Sequence, residues 1–192
     1  MHELDWSRFE SLPGDQAANF ELLWRGAVRH SYGKYGTFQA RAQQPGVEFH
    51  LKVDRDCPLG DAGQRFGWQT KWWQGLEAGR TIGATRKRDV EDSLDKTKTH
   101  LPGLTDWVLC TRRPLAPTDE PWWEGLSAPF KLDHQVAEDL ANLLIGDAEL
   151  FRQTYFGDLV LTPDRLETIK NLALATCGSA GSPRCTRPAR PR

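Results

Sequence analysis

Cysteine is scarce and never paired in a motif: Cys57, Cys110, Cys177 and Cys185 are the only four in 192 residues, and none forms a C-x-x-C half-site. That excludes a finger- or ribbon-type zinc domain, and the residues read as free thiols. Long apolar runs are also missing. None approaches the roughly 18 residues that a spanning helix needs, which excludes an integral helical membrane protein. The opening residues, MHELDWSRFE, are acidic and lack the apolar stretch of a secretory signal, so a cytoplasmic protein is expected. No segment repeats, which argues against a solenoid. The acidic loop with Asp54, Asp56 and Asp61 lacks the spacing of a calcium-binding EF-hand, because Leu59 stands where glycine is required and Arg65 where glutamate is required. His30, His50, His100 and His134 show no metal-ligand spacing.

What is present is a folded composition, 39% hydrophobic and 27% charged, in a chain long enough for one large domain or a core with an appended subdomain. The net charge of −1 hides an asymmetry. The last sixteen residues, CGSAGSPRCTRPARPR, carry four arginines and no acid, which leaves −1 − 4 = −5 on the remainder. This tail has no apolar periodicity and reads as disordered, unlike the sequence before it, as the end of a truncated reading frame would.

Helical spacing of Phe20, Leu23, Trp24, Ala27 and Val28 predicts a helix over residues 19–31, with Asn19 as its N-cap. A short extended piece is expected near residues 37–41. The segment VEFHLKV, residues 47–53, alternates Val47, Phe49, Leu51 and Val53 with Glu48, His50 and Lys52, the pattern of a half-buried strand. After a Gly- and Pro-punctuated connection comes a second strand, WQTKWW, residues 68–73. Gln69, Lys71 and Trp73 share one of its faces; Trp68, Thr70 and Trp72 share the other. A basic stretch containing Arg80, Arg86, Lys87 and Arg88 precedes a helix over residues 89–101, and DWVLCTRRPL reads as a third strand. Strand, long hairpin, strand, helix and strand make an α/β core. Beyond a linker over residues 116–130, Leu132, Val136, Leu140, Leu143 and Leu144 form an apolar helical stripe. Leu150, Phe151 and Tyr155 continue it after Gly146, and Thr162-Pro163-Asp164 opens a last helix.

The chemistry-bearing residues lie on the two strands of the hairpin. If those strands pair, Glu48, Gln69 and Lys71 converge within a few Å, since neighbouring strands lie roughly 4.8 Å apart. A carboxylate, an amide and an ammonium suit phosphodiester cleavage. Glu48 offers a hard oxygen ligand for Mg²⁺, Gln69 a carbonyl oxygen, and Lys71 a charge to neutralise the phosphorane. His50 shares the face of Glu48 and either assists or lines the site.

GVEF, residues 46–49, followed by WQTKWW resembles the (D/E)…QxK variant of the PD-(D/E)xK restriction-endonuclease-like superfamily, especially Mrr-like nucleases. The helix with Phe20-Glu21, the GWQTKWW strand, HLPGLTDWVLCTRRPL and TYFGDLVLTPDRL together resemble the N-terminal nuclease domain of antiviral STAND-type NTPases, over residues 19–170. The resemblance implies a mixed central sheet flanked by helices, with a nuclease core over residues 1–115, a helical extension over 116–176 and the tail over 177–192. It implies that Glu48 is the metal-binding acid, that Gln69 holds the place of the usual second acid, and that Lys71 is the catalytic lysine. Glu21 matches an acid that some members add to the metal site. Mg²⁺, replaceable by Mn²⁺, is the implied cofactor, DNA the implied substrate, and a STAND NTPase/sensor region or another defence-system subunit the implied partner. Cutting both strands of a duplex suits a homodimer.

Each residue also has a plainer reading. Glu48 alone is an outward residue of an alternating strand, and Lys71 an edge charge or cation–π partner. The tryptophans read as packing rather than a base-stacking platform. Arg80, Arg86, Lys87 and Arg88 contact a phosphate backbone or form a solvated charged loop. The competing function is a catalytically inactive domain that binds nucleic acid or docks a partner.

Overall fold

In the computed structural model, residues 4–40, 45–145 and 148–157 are described, all within one compact unit over residues 1–158. The expected helix at Thr162, the Arg-rich tail, Cys177 and Cys185 lie outside the described residues. Cys57 and Cys110 are free thiols, and burial pushes the Cys110 thiol well up. Among the described residues no helix is long and apolar enough to cross a membrane.

The architecture is the expected α/β one: a mixed five-stranded sheet with helices on both faces. The strands β1 (Gly36–Ala40), β2 (Phe49–Val53), β3 (Arg65–Lys71), β4 (Asp106–Thr111) and β5 (Lys131–Gln135) lie in chain order across the sheet. β1, β2 and β3 pair antiparallel, whereas β3, β4 and β5 run parallel. Parallel neighbours need a crossover, and α3 (Gly83–His100) supplies it between β3 and β4.

Alternation along β4 divides the core. Val108 and Cys110 face a cluster built with α1 (Trp6–Glu10), α2 (Gln16–Tyr32), α5 (Ala137–Leu143) and α6 (Glu149–Phe156). Trp107 and Leu109 face a second cluster, where Val90 and Leu94 of α3 meet Trp122 and Trp123 of α4 (Glu120–Glu124). Each large side chain so enclosed contributes roughly 1.5–3 kcal/mol of burial. Trp68 is fully buried, Trp72 packs against the first cluster beside Trp6, Phe9 and Phe20, and Trp73 joins the second, so these rings are packing elements.

Several expected boundaries shift. α2 begins earlier than Asn19: Asp15 is the N-cap and accepts from the Ala18 N–H, while the Asn19 amide donates to the Pro13 carbonyl. The stripe expected to begin at Leu132 begins later, because residues 131–135 extend the sheet beside β4 and the helix starts at Ala137. The sheet thus takes its fifth strand from beyond residue 115. The expected linker over residues 116–130 contains a 3-10 turn and α4, with Asp119 wholly buried. Val47 leaves the face of Phe49, Leu51 and Val53 and packs in the α3-side cluster.

Candidate active site

Two glycines set the entry into β2. Gly46 has φ +87°, and a Cβ there would run into the α3 backbone at Thr97. Its carbonyl accepts from Trp107 Nε1 at 3.1 Å. The turn sends Val47 over Gly67, where a Cβ would come within 2.9 Å of the valine and 3.0 Å of Leu104. Glu48 then arrives beside β3, its N–H donating to the Trp68 carbonyl at 2.8 Å.

The register Phe49↔Trp68 puts Glu48 next to Gln69, and the side chains meet: Gln69 Nε2 donates to Glu48 Oε1 at 2.6 Å. Gln69 is 5% exposed and Glu48 half-buried. Glu21, on α2, is the third member. Burial raises its carboxyl, the negative charge of Glu48 raises it further, and Arg25, one turn along at 3.2 Å, partly opposes both. A carboxyl raised by its neighbour marks two acids close enough to repel.

Lys71 leaves the same face of β3 two residues after Gln69, but its ammonium goes to Asp89 Oδ2 of α3 at 2.9 Å. The structure therefore joins Glu48 and Gln69 directly, brings Glu21 within reach of the Glu48 charge, and ties Lys71 to an acid that the sequence did not single out. Asp89 carries no local signal, since its partner is eighteen positions away on another element. Arg25 was legible as an i,i+4 partner of Glu21. His50 Nε2 lies 3.1 Å from Gln39 Oε1 of β1.

The basic residues separate. α3 starts at Gly83, so Arg86, Lys87 and Arg88 sit in its first turns and not in a loop before it. Arg80 is exposed and pairs with Glu77 at 3.2 Å. Arg86 donates to the Gln74 carbonyl at 3.0 Å, and Arg88 is exposed. Lys87 pairs with buried Asp119 at 2.8 Å and lies over the Trp122 ring. Asp119 also accepts from Thr81 Oγ1 at 2.6 Å and from the Ile82 N–H at 2.9 Å. Burial works to raise this carboxyl, but those hydrogen bonds and the lysine charge outweigh it and hold it below its ordinary value.

The row Gln69, Leu109 and His134 continues across β4 to β5. Thr111 Oγ1 donates to the Arg113 carbonyl at 2.6 Å and lies 2.7 Å from His134 Nε2, so the imidazole N–H must be the donor between them. Burial lowers His134 to about 4, against the pull of Asp133 and Asp139. Buried Leu109 stands between it and Gln69.

Among the described residues no group of three or more His, Cys, Asp or Glu is placed to hold a metal. The donor chemistry nevertheless fits a hard cation, since Mg²⁺ is commonly held by one or two carboxylates with water completing the shell. Glu48 and Glu21 are such a pair, and a cation would relieve their repulsion. The Gln69 amide would have to turn to present its oxygen.

No protein-family model and no curated protein matches this chain. Among solved structures it is similar to the MspJI restriction endonuclease in complex with a 27-mer oligonucleotide, at TM-score 0.43 and 12% identity, over 85% of this chain and 38% of that one. It is also similar to the DNA modification-dependent restriction endonuclease AspBHI, at TM-score 0.38 and 12% identity, over 92% and 43%. A protein of unknown function, AF1548, aligns at TM-score 0.36 and 12% identity over 83% of this chain and all of that one. The chain spans less than half the length of the first two. Likenesses this distant carry no argument about the site.

Proposed function

We propose that this protein is a metal-dependent DNA endonuclease whose site is Glu48, Gln69 and Lys71, with Glu21 as an additional acid. The observation that carries the reading is the 2.6 Å Gln69–Glu48 contact beside a Glu21 carboxyl raised in part by Glu48, on the sheet face that Lys71 shares. Glu48 and Glu21 would hold Mg²⁺ or Mn²⁺, which when bound polarises a phosphoryl oxygen and acidifies a water. Gln69 fixes the carboxylate of Glu48. Lys71 would donate to a non-bridging phosphoryl oxygen as negative charge grows there, a stabilisation realised in the transition state. Asp89 aims that ammonium. A role as the effector of a prokaryotic defence system, with a sensor region as partner, rests on the sequence resemblance alone.

A catalytically inactive nucleic-acid-binding domain is the second reading, favoured by the internal engagement of both Gln69 and Lys71. Calorimetric titration with Mn²⁺ separates the two. The nuclease predicts saturable binding that Glu48→Ala removes; absence of binding, or binding indifferent to Glu48→Ala, favours the inactive domain.

A further inference from the structure

α2 carries Glu21, Arg25 and Arg29 at successive i,i+4 positions, hence on one face. That face borders a groove of about 840 Å³ whose lining includes Arg25, Arg29 and His30 from α2, Phe38 from β1, and Phe151 and Tyr155 from α6. No acid lines it. Arg29 and His30 are exposed. The Arg29 guanidinium lies over the Phe38 ring at 5.9 Å, and His30 meets Phe151 edge-on at 6.0 Å. Phe151 reaches across the helix because residue 26 is glycine, where a Cβ would come within 2.6 Å of its Cε1. Burial raises the Tyr155 phenol, and the nearby positive charge of Arg25 opposes the rise.

One end of this groove adjoins the proposed metal site, because Arg25 pairs with Glu21 and Glu21 feels the charge of Glu48. Cations answer a phosphodiester backbone, and aromatic side chains interleaved with them answer unpaired bases, which stack without regard to sequence. A paired duplex offers no free base faces to rings recessed in a groove. We propose that the groove between α2, β1 and α6 binds an unpaired nucleic-acid strand and leads it past Arg29 and Arg25 toward Glu21 and Glu48. The direction of the strand rests on the nuclease reading, whereas the binding itself needs neither metal nor cutting.

The test is fluorescence anisotropy of the full chain with labelled oligo-dT, and with a duplex of equal length, in EDTA. The parent protein is expected to bind the single strand, Arg29→Glu to weaken it about tenfold or more, and Arg29→Gln to reduce the slope of log affinity against log salt by about 0.7, the single-strand value for one phosphate contact. Thermal unfolding of both variants checks that the fold persists, and Arg29→Gln serves alone if the charge reversal does not fold. Single-strand affinity unchanged by either Arg29 substitution, no parent binding, or a loss seen on duplex alone would overturn the proposal. Loss of oligo-dT binding in Arg29→Glu together with a protein that never cuts would keep the groove and remove the nuclease; metal-dependent cutting with oligo-dT binding indifferent to Arg29 would do the reverse.

Discussion

Two lysine–aspartate pairs flank the start of α3, and they have opposite surroundings. In Lys87–Asp119 the carboxylate is wholly buried, and Thr81 and the Ile82 N–H occupy its other positions. In Lys71–Asp89 the aspartate side chain is 56% exposed and the lysine 14%, and the lysine shares its strand face with Gln69, whose amide donates to Glu48. The first pair has every partner it needs within the fold, and so it reads as structure: it anchors the segment before α4 to the helix. The second leaves the Asp89 carboxylate near solvent with capacity to spare, and so it reads as chemistry. The same two residue types therefore mean different things according to what completes their coordination.

Removing each acid separates the two pairs most strongly. Asp119→Ala strips partners from a partly buried lysine, a hydroxyl and a backbone N–H, and is expected to cost about 3 kcal/mol in urea unfolding. Asp89→Ala leaves Lys71, whose side chain is 14% exposed, without its ion pair, but removes no wholly buried carboxylate, and is expected to cost less, about 1–2 kcal/mol, while lowering kcat because Lys71 loses its aim. Equal losses of stability would end the distinction between the pairs.

A smaller effect comes from His134, closed off like Asp119. Folding lowers its pKa from 6.5 to about 4, so the unfolded chain takes up a proton that the fold refuses as pH drops below 6.5. The native state therefore loses stability between pH 7 and pH 5, by roughly 1–2 kcal/mol at about 1.4 kcal/mol per pKa unit. Denaturant melts at the two pH values are expected to show this loss, and His134→Gln to reduce it. An unchanged pH dependence in the variant would place the loss elsewhere.

The smallest stability change belongs to Glu21, on the open side. Its carboxyl is raised on folding, so the native state is favoured by protonation and loses stability as pH climbs above the ordinary value of 4.5. At neutral pH Glu21→Gln is expected to raise Tm by about 1 °C, a few tenths of a kcal/mol, and to weaken Mn²⁺ binding. A group that destabilises the fold yet improves metal affinity is what a functional acid gives. A fall in Tm with Mn²⁺ affinity unchanged would make Glu21 a structural residue.

Where pattern was local, the sequence showed the structure. Alternation in the hairpin placed Gln69 and Lys71 on one face, and the i,i+3,i+4 spacing of Phe20, Leu23 and Trp24 marked α2. Long-range contacts decided the rest. Residues 131–135 carry leucine spacing that continues into a helix, yet Lys131 N–H donates to the Thr105 carbonyl and the segment joins β4. The first turns of α3 lack apolar periodicity, but Ile82 and Lys87 bond to Asp119, more than thirty residues away. Asp89 was invisible for the same reason: no sequence spacing relates it to Lys71. Val47 broke the alternation because Gly67 opens a space for it, a fact about two strands rather than one.

Whether the site of Glu48, Gln69 and Lys71 hydrolyses phosphodiesters is decided by incubating supercoiled plasmid with the full chain in Mg²⁺, Mn²⁺ or EDTA, with folded Lys71→Ala alongside. The expected result is nicking in either metal, none in EDTA, and a loss of at least 100-fold, about 2.7 kcal/mol of transition-state stabilisation, in the variant. Nicking that survives in Lys71→Ala, or no nicking in any metal, would contradict hydrolysis at that site.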